Sequence, residues 1–186
     1  MPEETRKTQR NDPATPLELD IRALGRRPGS MIRVSRTVPA PADLGLDVIG
    51  VPEGADLELE VRLEAVLEGV VATGTVRAPL VGECVRCLDP VSDVLETDFA
   101  ELFVPAGRDG DDETRWIEGD SIDLDPVLRD AVVLLLPLQP VCRDDCPGLC
   151  SECGAHLAED PEHRHTAVDP RWAALQDLVP QDERDR

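Results

Sequence analysis

The spacing of six cysteines constrains this chain more than any other feature. They stand as Cys84-Val-Arg-Cys87 and, much later, as Cys142-Arg-Asp-Asp-Cys146-Pro-Gly-Leu-Cys150-Ser-Glu-Cys153-Gly154. A Cys-x2-Cys turn points two thiolates at one ion, and a trailing small residue such as Gly154 relieves crowding where backbone amides bend toward sulfur. His163-Arg164-His165 adds two nitrogen donors, which share a face if the segment is extended. Six Cys and two His make eight candidate ligands, the number that two closed tetrahedral sites require. Chain proximity groups Cys150, Cys153, His163 and His165 into a local ribbon. It leaves Cys142 and Cys146 to join Cys84 and Cys87 in a second site that clamps the two halves of the chain together. Two other arrangements stay open: one site of Cys142, Cys146, Cys150 and Cys153 with the histidines idle, and a redox dithiol at Cys84 and Cys87. Redox Cys-x-x-Cys pairs open a helix whose N-terminus lowers the thiol pKa, whereas Leu88-Asp89-Pro90 reads as a turn after a strand. His156 reads as a surface or capping residue.

Closed four-ligand sites are structural, since a catalytic zinc keeps one position open for water and needs a general base nearby. Nothing selects such a base among 39 Asp and Glu residues. No phosphate-cradling glycine loop, Ser-His-Asp set or His-Glu-x-x-His helix is present. Asp123 and Asp125 read as residues that cap a helix. The expectation is a protein that is not an enzyme and holds one or two structural zinc ions.

Charge narrows the function further. Lys and Arg number 19 against 39 Asp and Glu, a net charge of −20. That excludes unaided wrapping of a nucleic-acid backbone, because affinity for phosphates comes from neutralising them with cations. Leu, Ile, Val and Phe still make up about a quarter of the chain, above the roughly 20% floor of disordered sequences. The longest apolar run, residues 131–136, is six residues, far short of the roughly 20 that span a bilayer. No apolar segment follows the polar start, so a cytoplasmic protein without a secretory signal is expected, where clustered thiols bind metal more often than they form disulfides.

The pattern along the chain predicts an α+β protein. Residues 1–16 read as a disordered tail. Residues 17–104 read as an antiparallel β lobe, a sheet curling toward a barrel or sandwich. Leu17, Leu19 and Ile21 alternate with polar residues, and residues 57–65 keep strict period two. Glu68-Gly69 reads as the turn to a second strand with Val70, Ala72, Val76 and Ala78 on one face. A third strand, 91–104, places Leu95, Thr97, Phe99 and Phe103 together. Residues 105–121 read as an acidic loop and 122–180 as a helix plus a small zinc-ribbon-like Cys/His lobe. The helix has Asp125 as N-cap, Pro126 in its first turn and a buried stripe of Val127, Leu128, Ala131, Val132, Leu135 and Leu136 before Pro137. Asp169-Pro170 starts a short second helix with Trp172, Leu175, Leu178 and Val179, and 181–186 frays.

Taken together, several of these motifs match a known pattern. Cys84-Val-Arg-Cys87-Leu88 after a hairpin, Pro-Leu-Gln-Pro-Val-Cys142, then Cys146-Pro-Gly-Leu-Cys150-Ser-Glu-Cys153-Gly154 and Asp169-Pro170-Arg171 resemble the bacterial YceD family. That family is also called DUF177 and known as large ribosomal RNA subunit accumulation proteins. The resemblance spans roughly residues 17–179. Many relatives carry Cys-x-Cys where this chain has His163-Arg164-His165, an exchange that keeps zinc-binding chemistry. The resemblance implies a non-enzymatic role in the accumulation of large-subunit (23S) ribosomal RNA and in ribosome assembly. The charge adds that contact would run through large-subunit ribosomal proteins or pre-ribosomal particles, with RNA touched indirectly and no membrane involved. The charged strand faces favour a monomer. A zinc-ribbon docking module for transcription or RNA-processing machinery is the alternative, and a Cys-x-x-Cys thiol oxidoreductase a third. A structural zinc site contributes on the order of 10 kcal/mol to folding a small lobe, so chelation is expected to unfold residues 142–179 first and leave the sheet partly intact. An unchanged far-UV spectrum with the metal shown to be gone would contradict this.

Overall fold

Strict alternation in the sequence becomes strict alternation of burial in the structure. The computed structural model describes residues 15–25, 27–107, 114–165 and 171. Strand β1 (Glu18–Asp20) and a single 3-10 turn (Arg22–Leu24) lead to β2 (Met31–Pro39) and the short β3 (Gly45–Leu46) and β4 (Ile49–Gly50). Three long strands follow, β5 (Asp56–Ala65), β6 (Val70–Glu83) and β7 (Pro90–Pro105), then β8 (Arg115–Ile117), β9 (Ser121–Asp123) and the helix α1 (Asp125–Val133). In β5, Leu57, Leu59, Val61, Leu63 and Ala65 are buried while Glu58, Glu60 and Arg62 face solvent, as a one-sided antiparallel sheet requires.

The main sheet runs β2-β5-β6-β7 in antiparallel register, and β8 adds to the end of β7 in parallel. β6 is long enough to pair with β5 along its first half and with β4 near its end, Gly82 opposite Ile49. No pairing joins β2 to β8 among the described residues, so the ladder is open. Gly74 of β6 lies opposite Phe99, and a Cβ there would stand 2.9 Å from the phenyl ring and 2.2 Å from the Glu60 carbonyl oxygen. The missing side chain lets the ring lie across the strand. The inner face is covered by the β1–β9 pair and by α1, whose Leu19, Ile122, Leu124, Leu128 and Val132 share one core with Leu57, Leu59, Leu63 and Phe103.

The expected hairpin β5–β6 and the third strand β7 form as read. Four details differ. β2, which the sequence reading did not single out, carries Arg36 on its inward side, where its guanidinium donates to the Glu18 carbonyl at 3.1 Å. That charge broke the apolar alternation of Ile32, Val34 and Val38. Within the expected acidic loop 105–121, Arg115–Ile117 forms β8, because it finds the exposed end of β7 to pair with. Asp125 is the first helical residue and Leu124 the N-cap; Asp123 caps instead, its Oδ1 accepting the Asp125 N–H at 3.0 Å. The helix stops at Val133, before Pro137, so Leu135 of the expected buried stripe is exposed while Leu136 is buried. The tail up to residue 14, the second helix with Trp172, Leu175, Leu178 and Val179, and 181–186 lie outside the described residues. No helix among the described residues is long and apolar enough to cross a membrane.

Leu63 is fully buried in the middle of β5. Leu63→Ala should therefore lower stability by about 2–5 kcal/mol in urea unfolding. Glu60→Ala on the opposite face of the same strand should stay within about 0.5 kcal/mol. Equal effects would contradict the inward and outward faces described here.

Candidate metal centres

The turn between β6 and β7 presents the first cysteine pair. The Cys84 N–H donates to the Asp89 carbonyl and the Leu88 N–H to the Cys84 carbonyl, each at 2.8 Å. The second pair arrives on the segment after α1, which is fastened to the same turn at three points. The Val85 N–H donates to the Pro140 carbonyl at 2.9 Å. Arg86 Nη1 donates to the carbonyls of Asp144 and Cys146 at 3.0 and 3.1 Å. Cys84 Sγ then lies 3.8 Å from Cys146 Sγ, and Cys87 Sγ 3.6 Å from Cys142 Sγ. All four sulfurs fall within 4.8 Å of one another, and three of the four cysteines are buried. A tetrahedron with metal–sulfur bonds of about 2.3 Å has edges of about 3.8 Å, whereas a disulfide needs about 2.05 Å. The spacing fits the first and not the second.

The second cluster is built locally. Cys150 and Gly154 close a turn through the Gly154 N–H to the Cys150 carbonyl at 2.8 Å, and Leu149 bridges to His156. Cys153 Sγ lies 3.2 Å from Nε2 of both His163 and His165, and those two nitrogens are 2.9 Å apart. With Cys150 Sγ they form a group of four donors within 4.8 Å. The other ring nitrogens turn outward to carboxylates: His163 Nδ1 is 3.9 Å from Asp160 and His165 Nδ1 3.5 Å from Glu152. These are charge-to-ring distances and not hydrogen bonds; a negative charge behind each imidazole favours a cation on its other nitrogen. Sequence reading missed these two acids, since nothing in their spacing sets them apart from the other carboxylates.

Electrostatics in both turns follow one pattern. Burial pushes the Cys84 thiol up, but backbone N–H groups of Cys142, Cys87 and Arg86 outweigh it and hold its pKa at about 6. For Cys150 the amides of Glu152 and Cys153 bring it down to about 7. In each turn the first cysteine therefore accepts amides two and three residues on, which stabilises a thiolate. Cys87, despite the Asp89 amide, is raised by burial and by the neighbouring Cys84, and Cys142 is raised by burial. Crowded sulfurs of this kind can all ionise together only around a cation.

The donor sets fit a metal: four sulfurs in one cluster, two sulfurs and two nitrogens in the other. Of the arrangements considered from the sequence, the side chains adopt the one based on chain proximity. Cys142, Cys146, Cys150 and Cys153 are divided between the clusters. His156 stands outside both, 3.9 Å from Asp89. The two centres also touch through the backbone. The Leu149 N–H donates to the Arg86 carbonyl at 3.0 Å, and Gly148, at φ 80°, approaches that carbonyl so closely that a Cβ would stand 2.9 Å from it. The purified chain should carry two metal ions. Cys146→Ser should remove the first and His163→Ala the second, each leaving one ion per chain by native mass spectrometry. Loss of both ions in both variants, or of none, would contradict two separate centres.

Residues 72–179 match the family described as Large ribosomal RNA subunit accumulation protein YceD. An uncharacterized protein of Mycobacterium tuberculosis is 48% identical over 171 residues, covering 89% of this chain and 83% of its own length. An uncharacterized protein of Mycobacterium leprae is 41% identical over 173 residues, 90% of this chain and 80% of the relative. The uncharacterized protein YlbN of Bacillus subtilis is 30% identical over 118 residues, 59% of this chain and 66% of the relative. No solved structure matches.

Proposed function

The chain belongs to the YceD family, and from that premise we propose that it is a non-enzymatic cytoplasmic factor in the accumulation of large-subunit ribosomal RNA. It holds structural zinc and works through basic ribosomal proteins during assembly of the large subunit. The observation that carries this reading is the family match over residues 72–179, a span that contains all eight donors of the two clusters. Family membership by itself suggests a role in large-subunit ribosomal RNA accumulation; the partners, the metal and the manner of action are inferred from the residues.

Three features support this inference. Each cluster offers four protein donors, which leaves a tetrahedral ion no open position for substrate or water, so zinc would supply closure of the fold and no chemistry. The net charge of −20 suits a cationic protein partner better than a phosphate backbone. The edge strand β2 carries the exposed Arg33 and ends at Pro39, features that disfavour edge-to-edge pairing and suit a monomer. The acidic face of residues 57–64 is partly neutralised within the sheet. Arg77 reaches Glu58 at 3.1 Å and Glu96 at 4.0 Å, and Arg62 pairs with Glu64 at 2.9 Å. Those exposed pairs are worth little for stability, but they reduce the face's pull on an outside cation.

A tagged chain recovered from its host at low salt, with and without nuclease, tests the reading. Large-subunit proteins should remain bound after nuclease and should dissociate progressively as salt rises. Recovery of a transcription or RNA-processing complex without ribosomal material would contradict the assembly role. Binding that does not weaken with salt would contradict its electrostatic part.

A further inference from the structure

The two Cys-x2-Cys turns close with the same pair of backbone hydrogen bonds but differ in the residue that follows each. Gly154 follows the second pair at φ 74°, and Leu88 follows the first at φ 63°. Glycine occupies that left-handed region freely, whereas a leucine there is strained. Burial inside the protein does not offset the strain, because Leu88 is 60% exposed. An unfavourable backbone conformation kept for an outward-facing apolar side chain points to a role outside the chain.

Further apolar side chains stand in solvent on this turn and on the segment whose end is fastened to it. Leu134 and Leu138 are 84% and 81% exposed, and Leu135 and Val85 are exposed too. The hydrogen bond from the Val85 N–H to the Pro140 carbonyl fastens the 134–140 stretch beside the turn that carries Leu88. Acidic residues flank this surface: Glu83, Asp89, Asp144 and Asp145 are all exposed. Of the basic neighbours, Arg86 donates to the carbonyls of Asp144 and Cys146, and Arg143 pairs with Asp145 at 3.3 Å. Exposed apolar side chains among four exposed acids and two arginines suit a protein-binding surface, and the excess of acid favours a cationic partner.

We propose that Leu88, Val85 and Leu138, with Leu134 and Leu135 leading into them, form the docking surface for a basic protein segment that brings apolar anchors of its own. This rests on the proposed action through basic ribosomal proteins and deepens it, since it puts the contact at the metal-held turn and not on the partly neutralised face of β5. The four-sulfur centre holds the turn and the 141–146 segment in fixed relation, so the partner meets a preorganised surface.

The test uses the full-length, metal-loaded chain, immobilised and exposed to proteins dissociated from the host's purified large ribosomal subunits. Each retained protein is identified, purified and titrated. Leu88→Gly should keep its metal and a thermal midpoint at or above that of the wild type, yet raise the Kd by about tenfold or more. Leu138→Ser should weaken binding similarly, and Asp144→Asn with Asp145→Asn should flatten the salt dependence. A Leu88→Gly chain that binds a ribosomal protein as tightly as the wild type overturns the docking surface and leaves the proposed function standing. Retention of no ribosomal protein by the wild type overturns both. Sedimentation of the chain alone that shows dimers dissociated by Leu88→Gly and Leu138→Ser gives the surface to a second copy, and that too overturns the proposal.

Discussion

The four sulfurs of Cys84, Cys87, Cys142 and Cys146 are the constraint on which the C-terminal part of the molecule depends. The apolar core is continuous from Leu17 to Leu136. Beyond Leu136 the buried hydrophobic residues among those described reduce to Cys146, which packs with Cys84 and Cys87 and with the partly buried Val91, Val141 and Leu149. A segment with so little apolar surface to bury cannot offset its own conformational entropy. Metal ligation would supply what burial does not, since in small lobes binding energy of this kind is folding energy. The position of the first pair, between the two longest strands, means that the ligand cluster grows directly out of the most regular part of the sheet.

From that anchor the second centre follows by a short relay. Arg86, lying between the two cysteines of the first turn, uses its side chain on the carbonyls of Asp144 and Cys146 and its own carbonyl on the Leu149 N–H. Those bonds set the start of the Cys150–Cys153 turn, and the carboxylates of Glu152 and Asp160 then face the outer nitrogens of the two histidines. The two centres differ in surroundings: three of the first cluster's ligands are buried, while Cys153 and His165 of the second are exposed. One holds parts of the chain together, and the other closes a local loop at the surface.

Much of this was legible in the sequence, and for physical reasons. Period-two patterning is a strong signal wherever a strand has one buried face, so β5, β6 and β7 could be read directly. β2 was obscured because Arg36 sits on the inward side, where its guanidinium serves the Glu18 carbonyl. The helix boundary shifted because Leu124 and Asp123 divide the N-cap position and its hydrogen bond between them. The two side-chain clusters coincide with the grouping that chain proximity suggests among the arrangements left open by the sequence. Leu88 was not accessible: its identity is plain, but its positive φ follows from the turn closed by the Cys84 N–H and the Asp89 carbonyl. Family membership suggests a role in large-subunit ribosomal RNA accumulation; the proposed basic partner and its docking place rest on the acidity and the exposed leucines.

Two closed metal centres, one all-sulfur and one mixed, would organise the C-terminal half. Zinc-edge X-ray absorption on the purified chain measures this directly. Sulfur at about 2.3 Å and nitrogen at about 2.0 Å are expected, in a ratio of six to two across two ions per chain. A single ion bound by four sulfurs alone, or a shell of oxygen ligands, would contradict it.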